Sequence, residues 1–226
     1  MPVYDEAERV ERALADVLGT DYGFATELIV VDDGSTDGTR ELLRAYPWPD
    51  NARLYLHDRN RGKGAAVRTA LSHARGTYSA ILDADLEYEP ADLAVLMAPL
   101  RAGRVNAVFG VRAFDGYTSH SFWFVLGNRL VTLAANVLFN VYLRDLMTCH
   151  KAIRTDVFRG LELHADGFTI EPEIAARLIQ HGERIFEVPV RYQARASSEG
   201  KKLTPRDGGR VLTTLLRCRM RPPRRR

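Results

Sequence analysis

The stretch AILDADLEYEP at 80–90 sets Asp83 and Asp85 one residue apart, directly after an apolar run, with Glu87 two positions on. If the strand continues through them, alternation puts all three carboxylates on one side. Acids crowded into a low-dielectric cleft repel one another and resist ionising. A divalent cation relieves that repulsion. An all-oxygen ligand set favours Mg²⁺ or Mn²⁺, above all when substrate phosphates complete the shell. An isolated D-x-D is also an ordinary solvated turn after a strand, so its surroundings decide its meaning.

A second acidic rim lies upstream. VVDDGSTDGT at 30–39 puts Asp32 and Asp33 at the end of another apolar run, before a glycine turn. Acids there do not suit bare phosphate, but they accept hydrogen bonds from a base or ribose. An EF-hand reading fails, because the twelfth loop position counted from Asp33 is Arg44. A P-loop reading of RNRGKGAA fails as well: His57 replaces the first glycine, and Gly64 follows Lys63 where Ser or Thr is needed. No G-x-G-x-x-G dinucleotide fingerprint occurs.

The elements that must position these acids follow from periodicity. ELIVVDD (27–33) reads as a buried strand, followed by a helix for which Ser35 or Thr36 is the expected cap. ARLYLHD (52–58) is a strand, 62–75 a helix, 77–85 a strand, 90–103 a helix with Pro90 near its start, and 105–112 a strand. This rhythm predicts an α/β fold, a mostly parallel sheet with helices on both faces. Ligands in such sheets bind beyond the carboxyl ends of the strands, where both acidic rims fall. Residues 5–19 read as a helix that no strand precedes. Further on, DLMTCHKAIR (145–154) is a strand entered from a loop, and 170–182 a helix closed by Gly182. The extended stretch 184–195 carries Pro189, which suits an edge or a bulge, and a short amphipathic helix follows in TPRDGGRVLTTLLRCRM.

The stretch 121–143 is long and apolar, yet Asn128, Thr132, Asn136 and Asn140 recur every fourth residue, with Arg129 beside the first. On a helix they form one polar stripe on an apolar cylinder. A buried core helix and a helix lying in a membrane interface both fit. A lone span would expose Arg129 and three amides to lipid, at a cost.

Composition sets the bounds. The 226 residues, 46% apolar, suffice for one substantial core, and no linker divides them. Cys149 and Cys218 have no metal-type spacing and point to a reducing compartment. The opening MPVYDEAERV is not a signal peptide. Charge is lopsided: residues 195–226 hold eleven Lys or Arg against two acids, while the rest holds 27 acids against 21 bases. Such a tail suits phosphates or anionic lipid. A nucleic-acid binder is disfavoured, for the basic stretch lacks interleaved aromatics.

Taken together, PVYDEAERV, VVDDGSTDGT, NRGKGAAVRTAL and LDADLEYEP resemble the nucleotide-sugar glycosyltransferases of family 2, with the GT-A fold. GVR (110–112), GNRL (127–130), DLMTCHKAIR, IEPEI (170–174) and EVPVRYQARASSEGKKL (187–203) resemble the branch of polyprenyl- or dolichyl-phosphate mannose or glucose synthases. The resemblance implies a GT-A domain over 1–203 and a basic amphipathic segment and tail over 204–226. It implies that Pro2, Tyr4 and Glu6 line the nucleotide pocket, that Asp33 contacts the base, and that Asp83 and Asp85 are the D-x-D motif. Asp85 is the firmer metal ligand and Glu87 a further one, at a position where relatives commonly carry Gln. Arg112, Arg129 and Arg195 are implied around the donor diphosphate and acceptor phosphate, completing with Asp85 the catalytic set. Lys201 and Lys202 lie in a loop that closes over them. Relatives differ in having a strand ahead of PVY, Asn at position 5, and in some cases Trp at position 205. An inner strand is therefore expected to be missing.

The implied reaction is inverting transfer of a hexose from GDP-mannose, UDP-glucose or UDP-N-acetylglucosamine to a polyprenyl phosphate, with Mg²⁺ or Mn²⁺ as cofactor. It is expected on the cytoplasmic face of an anionic membrane, as a peripheral protein. A phosphate acceptor, largely dianionic at neutral pH, needs no general base. A sugar hydroxyl of a cell-envelope glycan would need one, with Glu171, Glu173 or Asp145 as candidates. A relative that binds the nucleotide sugar without turnover is the other alternative.

Overall fold

The computed structural model describes residues 1–112, 122–193 and 205–222. In chain order the elements are β1 (Pro2–Val3), α1 (Val10–Gly19), β2 (Leu28–Asp32), α2 (Thr39–Ala45), β3 (Ala52–Leu56), α3 (Lys63–His73), β4 (Tyr78–Ile81) and α4 (Asp92–Arg101). They continue as β5 (Ala107–Arg112), α5 (Phe122–Phe139), β6 (Lys151–Arg154), α6 (Thr155–Gly160), α7 (Ile170–Gln180), β7 (Ile185–Val190) and α8 (Pro205–Met220). Strands β1-β2-β3 pair in parallel. A second sheet has the order β4-β6-β5-β7, with β6 antiparallel to both neighbours and β5 parallel to β7. Pro189 lies on β7, at the edge, where its missing N–H interrupts nothing further out.

Strand alternation divides the core between two faces. On β5, Ala107 and Phe109 pack with α5, α7 and α8 through Val131, Ala135, Ile174 and Leu215, while Val108 packs with α1, α2 and α4 through Leu14, Leu43, Leu96 and Leu100. Helix α8 contributes Val211, Leu215 and Cys218 to the first face, a 4-then-3 spacing that lays one stripe inward.

The inner strand is present as two residues. Pro2 and Val3 pair with Val31 and Asp32, and the Met1 ammonium donates to the Ile29 carbonyl at 2.8 Å. Beyond Met1 lies a cavity of about 350 Å³ between β2 and β4.

Four local features depart from the sequence expectations. Helix α1 begins at Val10, not at residue 5, because Asp5 adopts a left-handed conformation (φ 50°) that Asp tolerates. Ser35 and Thr36 do not cap α2. Ser35 Oγ accepts the Asp5 N–H and the Thr36 N–H goes to Asp5 Oδ1, so α2 starts at Thr39, whose N–H is taken by Asp37. Strand β4 stops at Ile81, and the chain turns through residues 84–87 with Leu86 at φ 61°. The side-chain alternation expected for Asp83, Asp85 and Glu87 therefore does not apply.

The fourth feature is α5, whose polar stripe faces inward at Asn128, Thr132 and Asn136, while Asn140 is exposed just past the helix end. Asn128 donates to Asp145, Thr132 accepts the Leu146 N–H, and Asn136 bonds both backbone groups of Leu143. The apolar residues Phe122, Trp123, Leu130, Leu133 and Val137 are exposed, with Trp123 at 77% and Val137 at 74%. Helix α5 is thus neither wholly buried nor free: Asn128, Val131, Thr132 and Ala135 pack inward, and the opposite apolar face is exposed.

Candidate active site

A cavity of about 300 Å³ opens at the carboxyl ends of β1, β2 and β4. It gathers Pro2, Tyr4, Glu6, Asp33, Asp83, Asp85, Glu87 and Arg112 from the sequence-derived set. Arg129 is exposed on α5 and does not line it. Arg195, Lys201 and Lys202 lie outside the described residues.

Asp33 organises one wall. Its Oδ1 accepts the Arg61 N–H at 3.0 Å and its Oδ2 the Gly62 N–H at 2.6 Å. His57 Nδ1 lies 2.7 Å from Oδ1, and its Nε2 2.9 Å from Thr69 Oγ1. These bonds fix the turn entering α3. Gly62 has φ +92°, and a Cβ on Gly64 would fall 2.1 Å from the Ala165 carbonyl oxygen. The glycines of RGKG thus let α3 press its first turn against residues 165–167. Glu173 holds that segment from the other side, accepting the N–H groups of His164 and Ala165.

Lys63, between those glycines, is consequently aimed into the site. Its Nζ lies 2.7 Å from Asp83 Oδ2 and 2.9 Å from Glu171 Oε1. The other Glu171 oxygen receives Lys151 Nζ at 2.6 Å, and that fully buried ammonium also donates to the carbonyls of Leu146 and Thr148. Asp83, Lys63, Glu171 and Lys151 thus form a row of alternating charge. Burial would raise the Asp83 carboxyl, but Lys63 outweighs it and holds the group below its ordinary value. The neighbouring Cys149 thiol is pushed well up by burial.

The opposite wall carries a second buried pair. Arg112 donates from Nε and Nη2 to the two oxygens of Asp145, each at 2.7 Å, and Asn128 adds a bond at 3.1 Å. Burial raises Asp145, yet Arg112 brings it below the usual carboxylate range. The guanidinium sits 5.1 Å from the centre of the Tyr192 ring, whose hydroxyl donates to Glu87 at 2.9 Å. Asp85 Oδ1 accepts the Glu87 N–H at 3.1 Å, which fixes the turn carrying both acids.

Glu171 reaches the cavity but is gripped by two lysines. Asp145 is gripped by Arg112. Glu173 is bonded to backbone and does not line the cavity.

The donor set can also be tested for a metal. Asp83 Oδ1 is buried and accepts no hydrogen bond among the described residues, a feature that a cation would satisfy. Among those residues no three metal-ligating side chains converge. The site therefore fits an ion held by Asp83 and Asp85 and completed by substrate oxygens, and not a closed protein cage.

Sequence reasoning missed Lys63, which it weighed only as a failed P-loop lysine, and His57, which it treated as a missing glycine. The available signal was a lysine between two glycines, a spacing that fixes the backbone on both sides of a charged group.

The profile described as "Glycosyl transferase family 2" matches residues 1–162. Glycosyltransferase AglJ of Haloferax volcanii is 33% identical over 219 residues, covering 96% of this chain and 69% of its own. The dolichol-phosphate mannosyltransferase of Pyrococcus furiosus is 27% identical, covering 89% of this chain, which spans 57% of that longer protein. Among solved structures, glucosyl-3-phosphoglycerate synthase of Mycobacterium tuberculosis superposes with a TM-score of 0.74 at 20% identity, covering 99% of this chain and 80% of its own. Its complex with Mn²⁺, UDP-glucose and phosphoglyceric acid gives 0.72 at 20% identity, over 99% of this chain and 79% of its own. At that identity the likeness establishes the fold, a GT-A-type α/β architecture.

Proposed function

The chain belongs to glycosyltransferase family 2, and on that premise we propose that it moves a hexosyl group from a nucleoside-diphosphate sugar to a polyprenyl phosphate, with inversion. The observation that carries this reading is the engagement of every acid considered as a base. Glu171, Asp145 and Glu173 are all held by lysine, arginine or backbone N–H groups. A sugar hydroxyl needs its proton removed as it attacks. A phosphate monoester is mostly dianionic near neutral pH and attacks without a base. The names of the Pyrococcus furiosus relative and of a Pseudomonas aeruginosa undecaprenyl-phosphate transferase, 28% identical, agree with a lipid-phosphate acceptor.

In the proposed step a phosphate oxygen forms a bond to the anomeric carbon while the bond to the donor's β-phosphate breaks, and the nucleoside diphosphate leaves. A divalent cation on Asp83 and Asp85 would supply charge neutralisation for that leaving group. Arg112, locked by Asp145, offers fixed positive charge to the phosphates at no reorganisation cost. Tyr192 and Glu87 hold the rim beside it.

The lipid acceptor also accounts for the outer surface. Exposed Phe122, Trp123, Leu133 and Val137 of α5 lie on a helix that packs against α8, which exposes Leu212, Leu216 and Met220 beside Arg217 and Arg219. Apolar residues interspersed with arginine suit the headgroup region of an anionic leaflet, so we place the protein peripherally on the cytoplasmic face of a membrane.

The test is a donor panel. The chain is incubated with GDP-mannose, UDP-glucose or UDP-N-acetylglucosamine, a polyprenyl phosphate in detergent, and Mg²⁺ or Mn²⁺. At least one donor is expected to give label in the organic phase that disappears in Asp85→Ala. Label confined to the aqueous phase for every donor refutes the reading.

A further inference from the structure

We propose that Lys63 is a resident counter-cation that occupies Asp83 until a divalent ion arrives, so that the lysine limits how tightly the site takes metal without nucleotide. This rests on the reading of Asp83 and Asp85 as a cation site.

The geometry supports it in three ways. First, the Lys63 ammonium is only 8% exposed and already bridges Asp83 and Glu171 at 2.7 and 2.9 Å. Lys63 sits on Oδ2 of the carboxylate whose Oδ1 would take the ion, and two positive groups on one buried carboxylate repel each other strongly. Second, Lys63 has somewhere to remain. Glu171 keeps a contact with it when Asp83 is released, and Glu171 is itself anchored by the fully buried Lys151. Third, the backbone of Lys63 is pinned. Gly62 and Gly64 pack on residues 165–167, and Asp33 holds the turn from below. Exchange therefore takes only a side-chain rotation from two carboxylates to one. The incoming diphosphate brings the negative charge that makes room for both the lysine and the ion, which couples metal uptake to nucleotide.

The experiment is Mn²⁺ titration of the full chain, read by electron paramagnetic resonance of the free ion, without donor or acceptor and again with GDP or UDP. Circular dichroism confirms folding. Lys63→Met is expected to bind Mn²⁺ alone on the order of tenfold tighter than the parent chain. Glu171→Gln, which leaves Lys63 dependent on Asp83, is expected to bind more weakly. A lysine that merely held Asp83 in place would give the opposite sign for Lys63→Met, so unchanged or weaker binding in a folded Lys63→Met overturns the proposal. If that variant does not fold, Glu171→Gln decides, and tighter or equal binding overturns it. Absence of Mn²⁺ uptake by the parent chain even with both nucleotides overturns the cation site itself. Uptake with nucleotide but no gain in Lys63→Met overturns the lysine's role alone.

Discussion

Replacing Asp145 by alanine tests how Arg112 is held. Arg112 is 6% exposed and Asp145 fully buried, and the pair shares two bonds of 2.7 Å with a third from Asn128. Deleting the carboxylate leaves a buried guanidinium without its counter-charge, and breaking such a pair from one side costs about 3–5 kcal/mol. That is a large share of the roughly 5–15 kcal/mol by which domains are stable. With a urea dependence of about 2–3 kcal/mol/M, the midpoint should fall by about 1–2 M. The double variant Arg112→Met, Asp145→Leu removes both charges and should recover most of that loss, because well-packed apolar residues replace buried ion pairs at little cost. It should nevertheless lack transferase activity. Urea unfolding followed by circular dichroism, with activity measured in parallel, completes the cycle. A midpoint for Asp145→Ala within experimental error of the parent chain would refute the reasoning.

Two further outcomes are expected. His150 is buried with both ring nitrogens unpartnered among the described residues, and burial pushes it down to about 4 from 6.5. The folded chain thus binds fewer protons than the unfolded one between those values. Stability should fall by about 3 kcal/mol as pH drops from 6.5 to 4, and urea midpoints of His150→Phe should lose that slope. At the outer surface, Leu133→Glu with Val137→Glu should reduce sedimentation with anionic liposomes by about tenfold while leaving the circular dichroism spectrum unchanged. Sedimentation of this variant equal to that of the parent chain would remove α5 from the proposed membrane-facing surface.

Much of this was legible in the sequence, for definite reasons. Apolar runs such as LIVVD and AVFGVR can satisfy their burial only as inner strands, and they form β2 and β5. The rim position of Asp33, Asp83 and Asp85 followed from strand ends, and all three line one cavity. What escaped depended on partners distant in the chain. Ser35 and Thr36 have the right chemistry for helix caps, but Asp5 lies close enough to engage both of them first. The stripe on α5 was read from periodicity, yet periodicity does not say which face is inward. Asp145 and the backbone of residues 143–146 decide that. The pairing of Lys63 with Glu171 joins residues 108 positions apart in the chain, a contact that no local pattern encodes.

The central claim is that the attacking group is a phosphate oxygen needing no base from the protein. The direct measurement is transfer from the preferred donor to a polyprenyl phosphate and, side by side, to the corresponding polyprenol, with the product's anomeric configuration read by NMR. Glycosylation of the phosphate with inverted configuration, and none of the alcohol, is the expected result. Comparable transfer to the alcohol, or retention of configuration, would contradict it.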